Sequence, residues 1–251
     1  HQNWWTNKEC TDIFINALSK HDKNKSAFYT IWYDCREDKN TSFEVERALK
    51  AFKESGRYDN SIVIMCSDHG YPDPSSGLTE ETMKKYTHDM IITEDNIKVP
   101  LIIKYPGCPK GKKLDNEVGT VDIYPTICEI LGLPEKNTQF KYRGLSLLDL
   151  VNTDSKENRT ARIDTRLNMA DSRFTALVKD QIKYVYYWDQ KIEELFNLKK
   201  DPYELNNLVP TRLDEYNENI LEFRTKLKDM EQEINLFHKV DLINGSFDTG
   251  I

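Results

Sequence analysis

A carboxylate, an imidazole and a glycine follow one another directly in this chain, at Asp68, His69 and Gly70. They come shortly after an apolar run at residues 62–66. Asp supplies a hard anionic oxygen and His a nitrogen donor, a common ligand pair for a divalent cation. Gly70 lets the backbone turn where a side chain would crowd a ligand. Taken alone, the tripeptide is better explained by an Asp that caps the next turn beside a polar His, so the surrounding elements must decide.

The order of elements around this tripeptide predicts an α/β fold. Residues 26–34 are rich in aromatic and β-branched side chains and predict a buried strand, whereas residues 41–56 have helical periodicity. Residues 60–67 predict the next strand, whose apolar run at 62–66 lacks polar alternation, as is typical of a strand buried on both faces. Strand, helix and strand in this order predict a parallel sheet with a right-handed crossover. Asp68 and His69 would then lie at the carboxyl end of a strand, where ligands gather in such sheets.

Two more helices and one more strand are predicted in the first 150 residues. Residues 10–20 have helical spacing, with Thr11 or Asp12 able to cap the helix. Residues 98–107 predict a short strand that ends at a Pro-Gly turn, and residues 120–134 predict a helix that a glycine and a proline end.

The pattern changes after about residue 150. A polar segment at residues 153–162 predicts a surface crossing, and residues 213–237 predict a long amphipathic helix. Between them lie three short β-rich runs that predict an antiparallel meander, at residues 173–180, 182–189 and 191–198. The predicted domains are therefore an α/β portion at residues 1–150 and a small antiparallel α+β subdomain at residues 151–251.

Composition narrows the function classes. The 251 residues are 38% hydrophobic and carry a formal net charge of -7. That charge argues against a general nucleic-acid binder, which needs a basic face, but still allows an anionic substrate at a locally positive site. No apolar run approaches the length of a membrane span. The five cysteines show no CxxC spacing, which argues against a zinc finger, and Cys66 and Cys128 are predicted to be small buried hydrophobic residues.

Several blocks occur in a fixed order along the chain. They read "YDNSIVIMCSDHG", "IKVPLIIKYPG", "VGTVDIYPTICEILGLP" and "RGLSLLDLV", followed much later by "KYVYYWDQKIEELFNLKKDPYELNNL". This series resembles the C-terminal half of the sulfatase family, within the alkaline phosphatase superfamily, and covers nearly all of residues 26–210. The resemblance implies part of a mainly parallel sheet flanked by helices, followed by a small antiparallel α+β subdomain.

The resemblance implies that Asp68 and His69 bind a divalent metal. In sulfatases this metal is usually Ca²⁺, and in phosphate-cleaving relatives the same Asp-His pair holds Zn²⁺ or Mn²⁺. The metal would polarise the ester oxygens and hold the nucleophile beside the central atom.

A second implied role concerns the position where many family members have a lysine that contacts the sulfate, before the "VPLII" strand. This chain has His88 and Asp89 near that position, with Lys84 and Lys85 a turn earlier. His88 is the predicted catalytic residue, as donor to an ester oxygen or as the acid that protonates the leaving group. A solvent-facing helix is an equally good explanation of these residues. Lys98 is interpreted as a surface residue.

Other residues that match the family are given structural interpretations. Asp122 matches the Asp of "VDxxPT" and is expected to cap the helix that follows. Arg143 and Gly144 match a family turn, and Asp201 with Pro202 forms a turn after the last strand of the predicted meander.

Two departures from the family pattern concern the catalytic machinery. The family nucleophile, a Cys or Ser before "xPSR" that becomes formylglycine in sulfatases, has no counterpart here, and neither have the N-terminal paired Asp ligands. Family members often carry a Pro-His pair after the strand that corresponds to residues 26–34, and this chain has Asp34, Cys35 and Arg36 there instead. Arg36 is interpreted as a solvent-exposed loop residue rather than an anion contact. We therefore expect the chain to be the C-terminal portion of a longer polypeptide, or a piece completed by another chain, and inactive alone.

Three functions remain open on these residues. The first is the C-terminal portion of a metal-dependent sulfatase that cleaves small sulfate esters, including those of sulfated carbohydrate. The second is a phosphoric-ester or phosphonate hydrolase or phosphotransferase of the same superfamily, which His88 in place of Lys allows. The third is a non-catalytic binding relative. The identity of the nucleophile would separate them.

Overall fold

The computed structural model describes residues 5–34, 40–71, 92–134, 144–153, 159–165, 174–210 and 213–238. Within it, the chain forms two compact units. The first is His1–Met65 with Ile102–Cys108, and the second is Cys66–Leu101 with Pro109–Ile251. Among the described helices, none combines the length and the apolar character needed to cross a membrane.

Two helices organise the first unit: α1 is Asn7–Lys20 and α2 is Thr41–Glu54. Helix α1 begins after Thr6, whose backbone N–H donates to Glu9 Oε2 at 2.7 Å while its side chain accepts from the Glu9 N–H at 3.3 Å. This capping box starts the helix earlier than the predicted cap, and Thr11 is instead fully buried within it. The core of this unit joins Phe14, Leu18 and Ala48.

The segment at residues 26–34 forms no strand, so that prediction is wrong. Tyr29 and Ile31 pack against the α1–α2 core, whereas Phe28 is 88% exposed and Trp32 is 68% exposed. The alternation of packed and exposed side chains is strand-like. A strand also needs a neighbour for its backbone hydrogen bonds, and none of the described strands pairs with this segment.

Strands β1, Val63–Cys66, and β2, Leu101–Lys104, pair in a two-stranded sheet. Both were predicted. The predicted burial of β1 on both faces is wrong, because Met65 is 44% exposed and Cys66 is exposed as well. Among the described strands, β1 pairs with β2 alone. The described part of the chain leaves the side chains at the end of β1 partly uncovered. The mainly parallel sheet stays a prediction.

The short helices of the second unit follow. Helix α3 is Glu94–Ile97, and a 3₁₀ turn at Thr120–Asp122 leads into α4, Ile123–Ile130. Gly132 ends this region with a φ of +63°, a left-handed conformation that suits glycine, as the pattern at residues 120–134 predicted. Helix α5 is Leu148–Thr153. Cys128 of α4 is buried, as predicted.

An antiparallel meander forms the rest of the second unit, with strand order β3-β4-β5-β6. The strands are β3 Ala161–Thr165, β4 Phe174–Lys179, β5 Ile182–Tyr187 and β6 Ile192–Asn197. Three of them confirm the predicted meander. Strand β3 lies partly in the segment predicted as a surface crossing, because its charged Arg162 is neutralised by Asp164 at 2.7 Å and by Glu231 at 2.5 Å.

The meander is covered on both faces, and a separate hydrophobic cluster packs on each. Helix α6, Leu213–His238, packs on one face, where the Tyr184 and Phe223 rings stack with centroids 5.7 Å apart. Adjacent residues of a strand point to opposite faces, so Val185, the neighbour of Tyr184, lies on the face away from α6. Phe196 and Ile92 pack with Val185 on that face. The predicted helix is confirmed, and its buried apolar positions are Tyr216, Ile220, Phe223, Leu227 and Met230.

We predict that Leu227→Ala lowers the free energy of unfolding by about 3 kcal/mol, because it leaves a cavity between α6 and the meander. Leu227 has no solvent exposure, whereas Leu221 of the same helix is 66% exposed. Leu221→Ala is therefore the matched control and should change stability by less than about 0.5 kcal/mol. Urea denaturation measures both. Equal losses would show that α6 does not pack on the sheet through its Leu227 face.

Candidate metal centre

A tight turn follows β1 and presents the predicted ligands. Ser67 Oγ donates to the His69 carbonyl oxygen at 2.7 Å, and the His69 backbone N–H donates to Asp68 Oδ1 at 2.9 Å. Asp68 thus closes the turn with one carboxylate oxygen, as the structural alternative expected. Its second oxygen, Oδ2, lies 3.7 Å from Nε2 of His69. The Asp68 carboxylate can therefore close the turn with one oxygen and bind a cation with the other.

The backbone selects which ring nitrogen of His69 can bind a cation. Nδ1 lies 2.6 Å from the carbonyl oxygen of Gly70. A carbonyl oxygen only accepts, so Nδ1 must carry the hydrogen, and Nε2 holds the lone pair in the neutral ring. Nε2 is also the nitrogen that faces Asp68. This is the usual arrangement of a metal-binding histidine, whose other nitrogen donates to a backbone carbonyl.

The two donor atoms fit a single divalent cation. Metal–nitrogen distances of about 2.1 Å and calcium–oxygen distances of about 2.4 Å exceed 3.7 Å in sum, so one ion can contact both atoms at a bent angle. The Asp68 side chain is half exposed and that of His69 is 26% exposed, so both can be reached. In the described part of the chain, no group of three or more His, Cys, Asp and Glu residues is placed to hold a metal.

A backbone contact requires glycine at position 70. Its N–H donates to the Asn96 carbonyl oxygen at 2.6 Å, and the Tyr71 N–H donates to the Asp95 carbonyl oxygen at 3.1 Å. A Cβ on Gly70 would lie 2.0 Å from the Asp95 oxygen, far inside contact distance. The sequence indicated a glycine that makes room for a ligand. The structure shows that it makes room for α3.

Two residues that the sequence did not single out hold the segment around α3. Lys183 has no solvent exposure, donates to the Ile92 carbonyl oxygen at 2.5 Å and pairs with Glu204. Oε2 of Glu204 accepts from the Glu94 N–H at 2.7 Å. Burial raises the pKa of Glu204, and Lys183 opposes that shift. A charged residue inside the apolar run of β5 was the signal in the sequence for this pair.

Asp122 and Asp201 have structural roles, although the role of Asp122 differs from the predicted one. Asp122 is buried, and its carboxylate accepts from the Gly119 N–H at 2.9 Å, the Leu145 N–H at 2.8 Å and Arg159 at 2.7 Å. It makes no side-chain cap to α4, so the predicted capping is wrong in detail: it joins three segments instead. Asp201 closes the predicted turn by accepting from the Leu205 and Asn206 N–H groups.

The remaining predicted positions have different outcomes. Gly144 permits a close approach, because a Cβ there would lie 2.0 Å from the Val121 carbonyl oxygen. Lys98 is exposed, as predicted. The others lie outside the described residues: His88, Asp89, Lys84, Lys85, Arg36 and Arg143.

A family model described as "N-sulphoglucosamine sulphohydrolase, C-terminal" matches residues 84–233, which is more than half of the chain. The chain therefore belongs to the sulfatase family and corresponds to its C-terminal region, as the ordered blocks indicated.

Curated relatives agree with this family. Arylsulfatase K of Danio rerio is 28% identical over 206 residues, which cover 80% of this chain and 36% of that protein. The delta 4,5-hexuronate-2-O-sulfatase of Bacteroides thetaiotaomicron is 26% identical over 198 residues, which cover 76% of this chain and 39% of that protein. The chain spans between about a third and two fifths of the length of these relatives.

Solved structures share the fold at low sequence identity. A Bacteroides thetaiotaomicron structure from work on glycosaminoglycan metabolism matches with a TM-score of 0.70 at 16% identity, covering 92% of this chain and 60% of that one. A protein solved with its substrate D-glucosamine-2-N,6-O-disulfate matches at 0.59 and 20%, covering 77% and 38%. The phosphonate monoester hydrolase of Silicibacter pomeroyi matches at 0.57 and 19%, covering 77% and 39%.

The buried Asp122–Arg159 pair yields a stability prediction. Asp122→Asn has one side-chain oxygen where two now accept from the Gly119 and Leu145 N–H groups, so it removes one acceptor and leaves the Arg159 charge unpaired, which should cost about 3 kcal/mol of unfolding free energy. Arg159→Met should cost a similar amount, and the double variant should lose less than the sum of the two. Urea denaturation measures this cycle, with exposed Asp115→Asn as the control. Additive losses would mean that the two side chains do not interact.

Proposed function

We propose that this chain is part of a metal-dependent hydrolase that cleaves sulfate esters, and that Asp68 and His69 are two of its metal ligands. One observation carries the proposal: in a chain of the sulfatase family, a carboxylate oxygen and an imidazole nitrogen lie 3.7 Å apart in the turn that ends β1. The tautomer that the Gly70 carbonyl imposes on His69 supports it further, because it directs the lone pair towards Asp68.

Ca²⁺ is the proposed cation. The half-exposed carboxylate of Asp68 offers the hard oxygen that Ca²⁺ prefers, and His69 adds a nitrogen that Zn²⁺ or Mn²⁺ would favour if the substrate were a phosphate ester. When bound, the cation would supply Lewis-acid polarisation of the ester oxygens. The residues of this chain then have the task of holding the cation and keeping the His69 ring in one tautomer.

His88 is retained as the proposed proton donor to the leaving group. It precedes Ile92 by four residues in the sequence. The Ile92 carbonyl oxygen is fixed by Lys183, which keeps this end of the segment near the turn that carries His69. A histidine titrates close to neutral pH and can therefore donate a proton in the physiological range.

A sulfated carbohydrate is the proposed substrate. Two similar proteins support it: one is named for a hexuronate 2-O-sulfate and the other was solved with a sulfated glucosamine. The net charge of -7 argues against nucleic acid as a partner.

The nucleophile is proposed to come from sequence outside these residues, as a formylglycine. Either the remainder of the same polypeptide or a completing chain would carry it, and the chain alone would be inactive. The greater length of the relatives supports this, as does the apolar surface at Phe28, Trp32 and Met65, which a completed sheet would cover. A non-catalytic binding relative would instead have no nucleophile anywhere in the completed protein.

A phosphoric-ester or phosphonate hydrolase is the second candidate function. The shared fold with the Silicibacter pomeroyi phosphonate monoester hydrolase favours it, and so does the pairing of an Asp with a His at the turn. The two candidate functions differ in the ester that is cleaved, so a sulfate ester and the matching phosphate ester can separate them.

We predict that Asp68→Ala, in the protein completed with its nucleophile, lowers bound Ca²⁺ and cuts p-nitrophenyl sulfate hydrolysis by about a hundredfold or more. Elemental analysis measures the metal, and a colorimetric assay measures hydrolysis. Asp115→Ala removes an exposed carboxylate from a loop of the same unit and should change neither quantity.

Unchanged metal content and activity in Asp68→Ala would refute the metal assignment. If p-nitrophenyl phosphate were hydrolysed in preference to the sulfate, the second candidate function would replace the first. Tight binding of a sulfated disaccharide without turnover of either ester would favour the non-catalytic relative.

A further inference from the structure

The segment Ile92–Ile97 lies between the candidate site and the antiparallel sheet. On the site side, its carbonyl oxygens accept the N–H groups of Gly70 and Tyr71, the two residues that follow His69. The contact is close enough that Gly70 has no space for a Cβ. The position of this segment therefore determines where the backbone after His69 can lie.

On the sheet side, the same segment is held by the Lys183–Glu204 pair. The Lys183 ammonium donates to the Ile92 carbonyl oxygen at 2.5 Å and lies 3.5 Å from the Glu94 carboxylate. The Glu204 carboxylate accepts from the Glu94 N–H at 2.7 Å. Ile92 also packs on the sheet beside Val185. Polar and apolar contacts thus hold the segment Ile92–Ile97 against the antiparallel sheet.

Burial makes this arrangement demanding. The Lys183 side chain has no exposure and that of Glu204 is 3% exposed, so their charges need each other and further hydrogen bonds. Much of that remaining hydrogen-bonding capacity is met by backbone groups of the segment, at Ile92 and Glu94. A displaced segment would leave two buried charged groups short of partners.

We propose that Lys183 and Glu204 are positioning residues for the candidate metal site, which they hold through the segment Ile92–Ile97 and the amide groups of Gly70 and Tyr71. The inference rests on the proposed function for its link to metal binding, but not for the structural coupling itself. Neither residue contacts Asp68 or His69 in the described chain. Their effect would pass through two backbone hydrogen bonds and one close glycine contact.

An ion pair between β6 and α6 supplies the control. Arg224 donates to Glu193 at 2.6 Å, and Glu193 also accepts from Tyr184, the residue next to Lys183 on β5. Tyr184 faces α6, on the side of the sheet opposite to Ile92. Breaking this pair should weaken the same sheet without touching the segment that holds Gly70.

The test compares Lys183→Met and Glu204→Gln with Arg224→Met and Glu193→Gln in the full chain, by hydrogen exchange of the Gly70 and Tyr71 amides. Selective ¹⁵N-glycine labelling leaves ten glycines to resolve. We expect Lys183→Met to speed Gly70 exchange by about tenfold relative to Arg224→Met at equal global stability. Glu204→Gln keeps an acceptor for the Glu94 N–H, so about a threefold increase is expected. A Ca²⁺ titration of each variant is the second measurement, and Ca²⁺ affinity should fall with amide protection.

Equal Gly70 exchange in the Lys183 and Arg224 variants would overturn the inference, because both pairs would then be only structural. If Lys183→Met does not fold, Glu204→Gln against Glu193→Gln decides in the same way. If the wild-type chain binds no Ca²⁺ in either its free or completed form, the proposed metal site fails, while the amide measurement still decides whether the coupling exists.

Discussion

A fully buried ammonium group must be both neutralised and hydrogen-bonded, and Lys183 presents that requirement inside the antiparallel sheet. Glu204 neutralises this charge, and the Ile92 carbonyl oxygen accepts a hydrogen bond from the ammonium. The Glu94 N–H in turn donates to the Glu204 carboxylate. These partners come from two distant parts of the chain. The ion pair therefore joins the turn after β6 to the segment before β2 and fixes both against the sheet.

The meander is covered on both faces, so the buried charge of Lys183 depends on its partners. Helix α6 lies on one face, and Ile92 packs on the other with Val185 and Phe196. Burial on both sides excludes water from Lys183, and the low dielectric that results strengthens its interaction with Glu204. The same burial makes an unpaired partner costly. The sheet and the Lys183–Glu204 pair thereby hold the segment Ile92–Ile97, which is not part of the sheet.

Contacts between neighbouring residues form the candidate site itself. The carbonyl oxygen of Gly70 sets the tautomer of His69, and one oxygen of Asp68 closes the turn while the other faces His69. Asp122 works in the same manner elsewhere in the second unit, by gathering Gly119, Leu145 and Arg159 around a single carboxylate. In both places a carboxylate accepts backbone N–H groups, and of the two only Asp68 also has an oxygen that faces an imidazole nitrogen.

The sequence alone determined the local features. Periodicity predicted α6 and three strands of the meander, because side chains that recur at helical or alternate spacing need a buried face. Adjacent positions made Asp68 and His69 candidate ligands, and the ordered blocks identified the family. The tertiary structure decided everything that depends on distant partners. It paired Lys183 with Glu204, and it left Phe28 and Cys66 exposed although their sequence context indicated burial. Burial of a strand and neutralisation of a charge depend on what the fold brings alongside, and local sequence carries no record of residues that are distant along the chain.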